Sequence, residues 1–176
     1  HPPNVDAALW LGHDIMPQLR RCYHGIHLTL VGIYPPPAVQ ALACADIAVT
    51  GPIAAIGPVI ERAAVVVAPL RIGGGMRMKV LHSLALGKAV VTTPRGADGL
   101  MLGNRLPPLI IAENTAGIAE AIVALLNSDE QRKAIGQQAR AFVAEHFSAA
   151  AYARRIEAIG AELQAQPAAG TDRHEI

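Results

Sequence analysis

The stretch VVVAPLRIGGGMRMKVLHSLALGKAVVTTPRGADGL, Val65 to Leu100, decides the fold. Ala63 to Leu70 is a continuous apolar run with three consecutive valines, the pattern of a strand covered on both faces in a parallel sheet. Gly73-Gly74-Gly75 ends the run. The spacing predicts a glycine loop and helix over Gly73 to Gly87, then a short β-branched strand over Lys88 to Thr93. Two buried strands with a loop and a helix between them are one repeat of an alternating α/β chain.

Both flanks continue the alternation. Upstream, Ala55 to Arg62 reads as a short helix, and Asp46 to Thr50 as a strand ended by Gly51-Pro52. Pro35-Pro36-Pro37 opens a short helix running to about Ala45, because proline is tolerated in a first turn, and Ile26 to Ile33 is strand-like. Asn4 to about Tyr23 has apolar residues Val5, Ala8, Leu9, Ile15, Met16 and Leu19 at helical spacing, with Asn4 as the expected N-cap. Downstream, Leu109 to Ala112 is the last strand expected. From Thr115 the chain reads as helical, with Ser128 and Gln131 at capping-box spacing and Ser148 capping a final helix. The expectation is one α/β domain over residues 1–165, a doubly wound, Rossmann-like parallel sheet, with a disordered tail over 166–176. Such units normally open on a strand that feeds the first helix. Here a helix starts four residues in and the first residue is His1 rather than Met, so a missing first strand and a missing upstream domain are expected.

Composition narrows the function. At 176 residues and 52% hydrophobic content there is ample material for a single core. A net charge of +1, with 16% charged and 3% aromatic residues, provides neither a basic footprint nor a base-stacking platform, so no nucleic-acid partner is expected. No apolar stretch is long enough to span a bilayer. Cys22 and Cys44 are far apart in sequence and read as reduced thiols of a cytoplasmic protein. The histidines lack the i, i+4 spacing of a metal-binding helix, and no metal is expected.

In open α/β sheets ligands bind at the carboxyl ends of the strands. Three loops qualify: Gly32 to Pro37, Gly51 to Ile53 and Pro69 to Arg77. In the third, Gly73, Gly74 and Gly75 bring no side chains to hold a ligand off the backbone, and the loop opens into a helix whose amides and dipole suit an anion. Arg77, in the expected first turn, shares a face with Val80, Leu81 and Leu84, while Lys79 falls opposite unless the helix starts late. Alternatively, the glycines make only a tight turn and Arg77 snorkels to water.

The segment Ala68 to Leu100 resembles the donor-site segment of retaining GT-B glycosyltransferases of the group 1, or family 4, kind. The likeness extends more loosely through His1-Pro2-Pro3-Asn4-Val5-Asp6-Ala7, Leu28-Thr29-Leu30-Val31-Gly32 and Val49-Thr50-Gly51. It implies that the chain is one half of a GT-B two-domain architecture, the C-terminal half, and that it holds a nucleoside-diphosphate sugar as co-substrate with no separate cofactor. The acceptor, a glycan, lipid or small molecule, would sit mainly on the absent N-terminal domain. The full protein would be cytoplasmic or peripheral to the inner face of the membrane. On this resemblance Gly73, Gly74, Gly75, Met76, Arg77 and Lys79 face the diphosphate, Gly51, Pro52 and Ile53 meet the base, His82 stands at the ribose, and Asn4 and Gly32 border the donor. Anomeric configuration would be retained.

The sequence departs from the family at two places. Many relatives carry two glutamates eight positions apart, where Gly74 and His82 stand here. A histidine can exchange one hydrogen bond with ribose but offers no pair of acceptor oxygens. A catalytically inactive GT-B-like binding or interaction module is therefore an alternative. So is a nucleotide-sugar epimerase of the same architecture, although the acid/base carboxylates and histidines it needs are not found. Asp98 and Glu113 lie near strand ends without pairing as acid and base.

Overall fold

The computed structural model describes residues 1–165, so the tail expected over 166–176 lies outside the described residues. In chain order the elements are α1 (Pro2–Trp10), a π-helical segment (Leu11–Ile15), α2 (Met16–Cys22), β1 (Leu28–Leu30), α3 (Pro37–Gln40), β2 (Ile47–Val49), α4 (Gly57–Arg62) and β3 (Val66–Ala68). They continue with α5 (Met78–Ala85), β4 (Val90–Thr92), α6 (Pro94–Ala97), β5 (Ile110–Ile111), α7 (Thr115–Asn127), α8 (Asp129–His146) and α9 (Ala149–Ala165).

Every ladder between these strands is parallel. Leu28 pairs with Ile47, Val66 with Val90, and Val91 with Ile110. Helices cover both faces, as alternation predicts. In β4 the fully buried Val91 packs with Trp10, Leu11, Met16, Ile118, Ile122 and Leu125 from α1, the π segment, α2 and α7. Its neighbour Val90 packs on the opposite face with Val80, Leu84, Ala139 and Val143 from α5 and α8. Successive strand residues point to opposite faces, so two adjacent valines serve two cores.

The sheet itself differs from the single one expected. It is divided into β1-β2 and β3-β4-β5, with no ladder between β1 and β3. The doubly wound order 3-2-1-4-5-6 places the opening strand between the second and the fourth. Among the described residues no strand precedes α1, and the neighbours observed are that order with its first strand left out. Val66 and Val67 are accordingly only partly buried, despite belonging to the most apolar run of the chain.

Other boundaries shift for local reasons. The continuous helix expected over Asn4 to Tyr23 passes through the π segment, because Pro17 has no amide for the carbonyl four residues back and its ring crowds that carbonyl. Asn4 is not the N-cap: His1 holds that position, and Pro2 and Pro3 supply the first turn. The expected downstream caps are present, with the Gln131 amide donating to Ser128 Oγ and the Ala151 amide to Ser148 Oγ, each at 3.2 Å. No helix among the described residues is long and apolar enough to cross a membrane.

Candidate functional site

The loop from Pro69 to Arg77 leaves the carboxyl end of β3 and is tied down at its start. Thr92 Oγ1 donates to the Ala68 carbonyl at 2.7 Å, and Thr93 Oγ1 donates to that of Leu70. Arg71 forms a bidentate pair with Asp6 of α1, at 3.0 and 2.6 Å, and its guanidinium lies 4.8 Å from the centre of the Trp10 ring. Trp10 is held in turn by donation to Thr115 Oγ1 at 3.0 Å. The Arg71 hydrogen bonds hold the Asp6 carboxyl below its ordinary range.

Beyond Arg71 the glycines determine the path. Gly73 and Gly75 have φ of +99° and +80°, the left-handed region that favours glycine. A Cβ on Gly73 would lie 2.9 Å from Pro3 Cγ, so this turn closes against the start of α1. On the far side Gly99 reaches the loop backbone: a Cβ there would stand 2.8 Å from the Gly75 carbonyl oxygen. Gly74 has φ in the ordinary range, and a Cβ there would meet nothing within 4 Å, so the backbone itself does not require glycine at this position. Among the described residues the amides of Gly73 to Arg77 and of Lys79 donate to no protein acceptor. These are the free donors that a helix start presents to an anion.

The two cations of this segment differ in placement, Arg77 being buried and Lys79 exposed. The helix starts at Met78, which makes Arg77 its N-cap residue instead of a first-turn residue. Arg77 is 7% exposed and its guanidinium is committed to carbonyls. Nη1 donates to Gly74 at 3.0 Å, Nη2 to Gly73 at 2.9 Å, and Nε and Nη2 to Arg95 at 3.2 and 2.9 Å. Arg77 is therefore directed at backbone carbonyls behind the loop rather than at open solvent. Snorkelling to water is equally excluded by its burial. The late helix start swings Lys79 to the α1 side, where its ammonium donates to Asn4 Oδ1. Lys79 is exposed as a residue, while its ammonium is partly desolvated beside Asn4. Desolvation there, and next the Arg77 charge, hold Lys79 below the ordinary lysine value of 10.5. Neither Lys79 nor Arg77 forms an ion pair among the described residues.

Asn4 is exposed and brings a side-chain amide rather than a helix cap. The α1 terminus adds no free amides, since Pro2 and Pro3 have none and those of Asn4 and Val5 donate to the His1 carbonyl. Gly32 follows β1 and is half-buried, and the exposed Gly51, Pro52 and Ile53 follow β2, each at a carboxyl strand end. His82 lies exposed on α5, one turn beyond Lys79. The structure thus brings together the glycine loop, Met76, Arg77, Lys79 and Asn4. Among the described residues no hydrogen bond joins Gly32, Gly51 to Ile53 or His82 to that group.

Asp98 pairs with Arg95 at 3.1 Å and is not poised as an acid or base. Two surface depressions lie elsewhere, one between α8 and α9 at Glu145, His146 and Arg154, the other beside Arg20, His24 and Asp46. Free amides and an ammonium, rather than concavity, mark the candidate site. Reading the sequence missed Asp6, Arg71, Thr92, Thr93 and Gly99. The Asp6–Arg71 pair spans 65 residues and carries no local signal, whereas two threonines closing a buried strand are a legible hint of hydroxyls aimed at the neighbouring strand end.

The family described as "Glycosyl transferases group 1" has a sequence model that matches residues 1–128. An uncharacterized glycosyltransferase of Methanocaldococcus jannaschii is 30% identical over 77 residues, which is 43% of this chain and 20% of that protein. The chain therefore corresponds to a minor part of the relative's length. With the family match covering most of its 176 residues, and the parallel α/β fold agreeing with it, the chain belongs to the group 1 glycosyl transferases.

Proposed function

We propose that this chain is the donor-binding domain of a GT-B glycosyltransferase, taking a nucleoside-diphosphate sugar at the glycine loop and passing the sugar to an acceptor held mainly by a second domain. One observation carries the reading. At the carboxyl end of β3 the unpartnered amides of Gly73 to Met76 and of Lys79 stand with an ammonium that has no carboxylate beside it. Buried or crowded cations normally pair with an anion, and a diphosphate satisfies the amides and the ammonium together.

In this reading the diphosphate lies along the loop, the Lys79 ammonium and the side-chain NH₂ of Asn4 meet its oxygens, and the base extends toward Gly51, Pro52 and Ile53. His82 offers one hydrogen bond to the ribose. When the glycosidic bond to the diphosphate breaks, negative charge grows on the leaving oxygens. Fixed amides and a cation stabilise that charge without reorganising. Gly74 and His82 in place of glutamates favour a second reading, in which the domain binds the donor nucleotide without supporting turnover.

Calorimetric titration with UDP, GDP, ADP and TDP and their sugar conjugates tests the proposal. At least one should bind saturably below about 1 mM, a modest affinity for a half-site. Absence of binding by all of them at that concentration contradicts it. Sugar transfer by a form carrying both domains separates the catalytic reading from the binding-only one.

A further inference from the structure

We infer that Arg77 is a positioning residue, a buried clamp that presets the glycine loop for an anion it does not touch. The inference rests on the donor-site reading above for its consequence, but its geometry stands independently. Four hydrogen bonds run from one guanidinium to three carbonyls: Gly73 and Gly74 in the loop, and Arg95 in the segment after β4. A guanidinium has five N–H donors in a rigid fork, so one is left, on a side chain that is 7% exposed.

The consequence follows from peptide geometry. A peptide's carbonyl and amide point in opposite directions, so drawing the Gly73 and Gly74 carbonyls inward to Arg77 turns the amides that follow them, those of Gly74 and Gly75, away from it. Three glycines in a row would otherwise sample many conformations, and ordering them on binding would cost affinity. The bonds to the Arg95 carbonyl extend the clamp to the segment after β4, whose Gly99 seats against Gly75 from the other side. The loop is thereby fixed between α1, through Pro3, and the β4 end of the sheet. Arg77 also leaves an unpaired positive charge behind the loop, and a lysine there would retain the charge while losing the fork.

That difference provides the test. Arg77→Lys and Arg77→Gln are compared with the unaltered chain by backbone ¹⁵N order parameters without ligand, and by calorimetry with the best-binding nucleoside diphosphate. The clamp predicts order parameters of about 0.8 or more for Gly74 to Met76 in the unaltered chain and below about 0.6 in both variants. Affinity should fall about tenfold or more in both, with the β3, β4 and α5 interior signals unmoved. If Arg77→Lys binds like the unaltered chain, or if loop order is the same in all three, the clamp is refuted. If the unaltered chain binds no nucleoside diphosphate, the donor-site reading fails while the order parameters still decide the clamp. Should neither variant fold, Gly99→Ala displaces the same loop from the β4 side. It should lose binding and loop order together, and unchanged binding and order refute the preset loop.

Discussion

Replacing Lys79 by methionine keeps the length and apolar stem of the side chain and removes its ammonium. In the structure that ammonium donates to Asn4 Oδ1 and has no carboxylate partner among the described residues, so its removal breaks no ion pair. The fold should be unharmed, since Lys79 lies on the exposed side of α5 away from Val80 and Leu84. What is lost is a charge-assisted hydrogen bond to the diphosphate, worth about 1.5–3 kcal/mol, which converts to roughly 10- to 100-fold in Kd. The pH dependence gives a second signature. Desolvation and the Arg77 charge lower the Lys79 pKa below 10.5, and a bound diphosphate, being anionic, raises it again. The bound state therefore holds the proton more tightly. Affinity is full below the lowered pKa and declines as pH rises through it, with proton uptake on binding. The last ionisation of a nucleotide phosphate has a pKa of about 6, so with ADP, whose base has no ring N–H to lose in the alkaline range, a decline above about pH 8 belongs to the lysine. Titrations at rising pH in buffers of different ionisation enthalpy should show uptake for the unaltered chain and none for Lys79→Met. A Lys79→Met protein that binds within about twofold of the unaltered one, with the same pH profile, refutes the assignment.

Gly73→Ala forces a side chain into φ +99° and toward Pro3, and thermal unfolding should report a loss of about 1–3 kcal/mol. Gly74→Glu points into open space and should leave the melting temperature unchanged. His82→Glu, restoring an acceptor pair at the ribose, should tighten nucleoside diphosphate binding several-fold and leave inorganic pyrophosphate binding unaffected, a difference calorimetry resolves. Asp6→Asn should lower stability at neutral pH. Because the folded Asp6 pKa lies below 3.8, the stabilisation is present above 3.8 and lost as pH falls through the lowered value. Melting curves of the two proteins should therefore converge in acid.

The alternation of strand and helix was legible because it rests on residues that serve one purpose. Val66 to Ala68 and Val90 to Thr92 are apolar or β-branched without interruption and form strands within the longer runs expected, and the capping pairs at Ser128 and Ser148 depend only on neighbours. Pro17 showed where a simple helical period fails, since apolar spacing carries no information about a missing amide. The glycine loop was legible as the break between β3 and α5 at a carboxyl strand end, but the directions of Arg77 and Lys79 were not. Helical-wheel reasoning placed Arg77 in the first turn of the helix, and a start at Met78 leaves it outside the helix as the N-cap residue. The carbonyls that capture Arg77 come partly from Arg95, eighteen residues away, and backbone acceptors have no signature in side-chain identity. The division of the sheet between β1 and β3 likewise arises from which strands are neighbours, which no single segment encodes.

The central claim, that an anionic nucleotide is held on the loop after β3, is tested most directly by mapping backbone amide chemical shifts as a nucleoside diphosphate is added. The account predicts saturating shifts at Gly73 to Met76, Arg77 and Lys79, with smaller ones at Asn4 and at Gly51 and Ile53. Shifts confined to the depressions near Arg154 or near Arg20, or a glycine loop that stays silent while nucleotide binds, would contradict it.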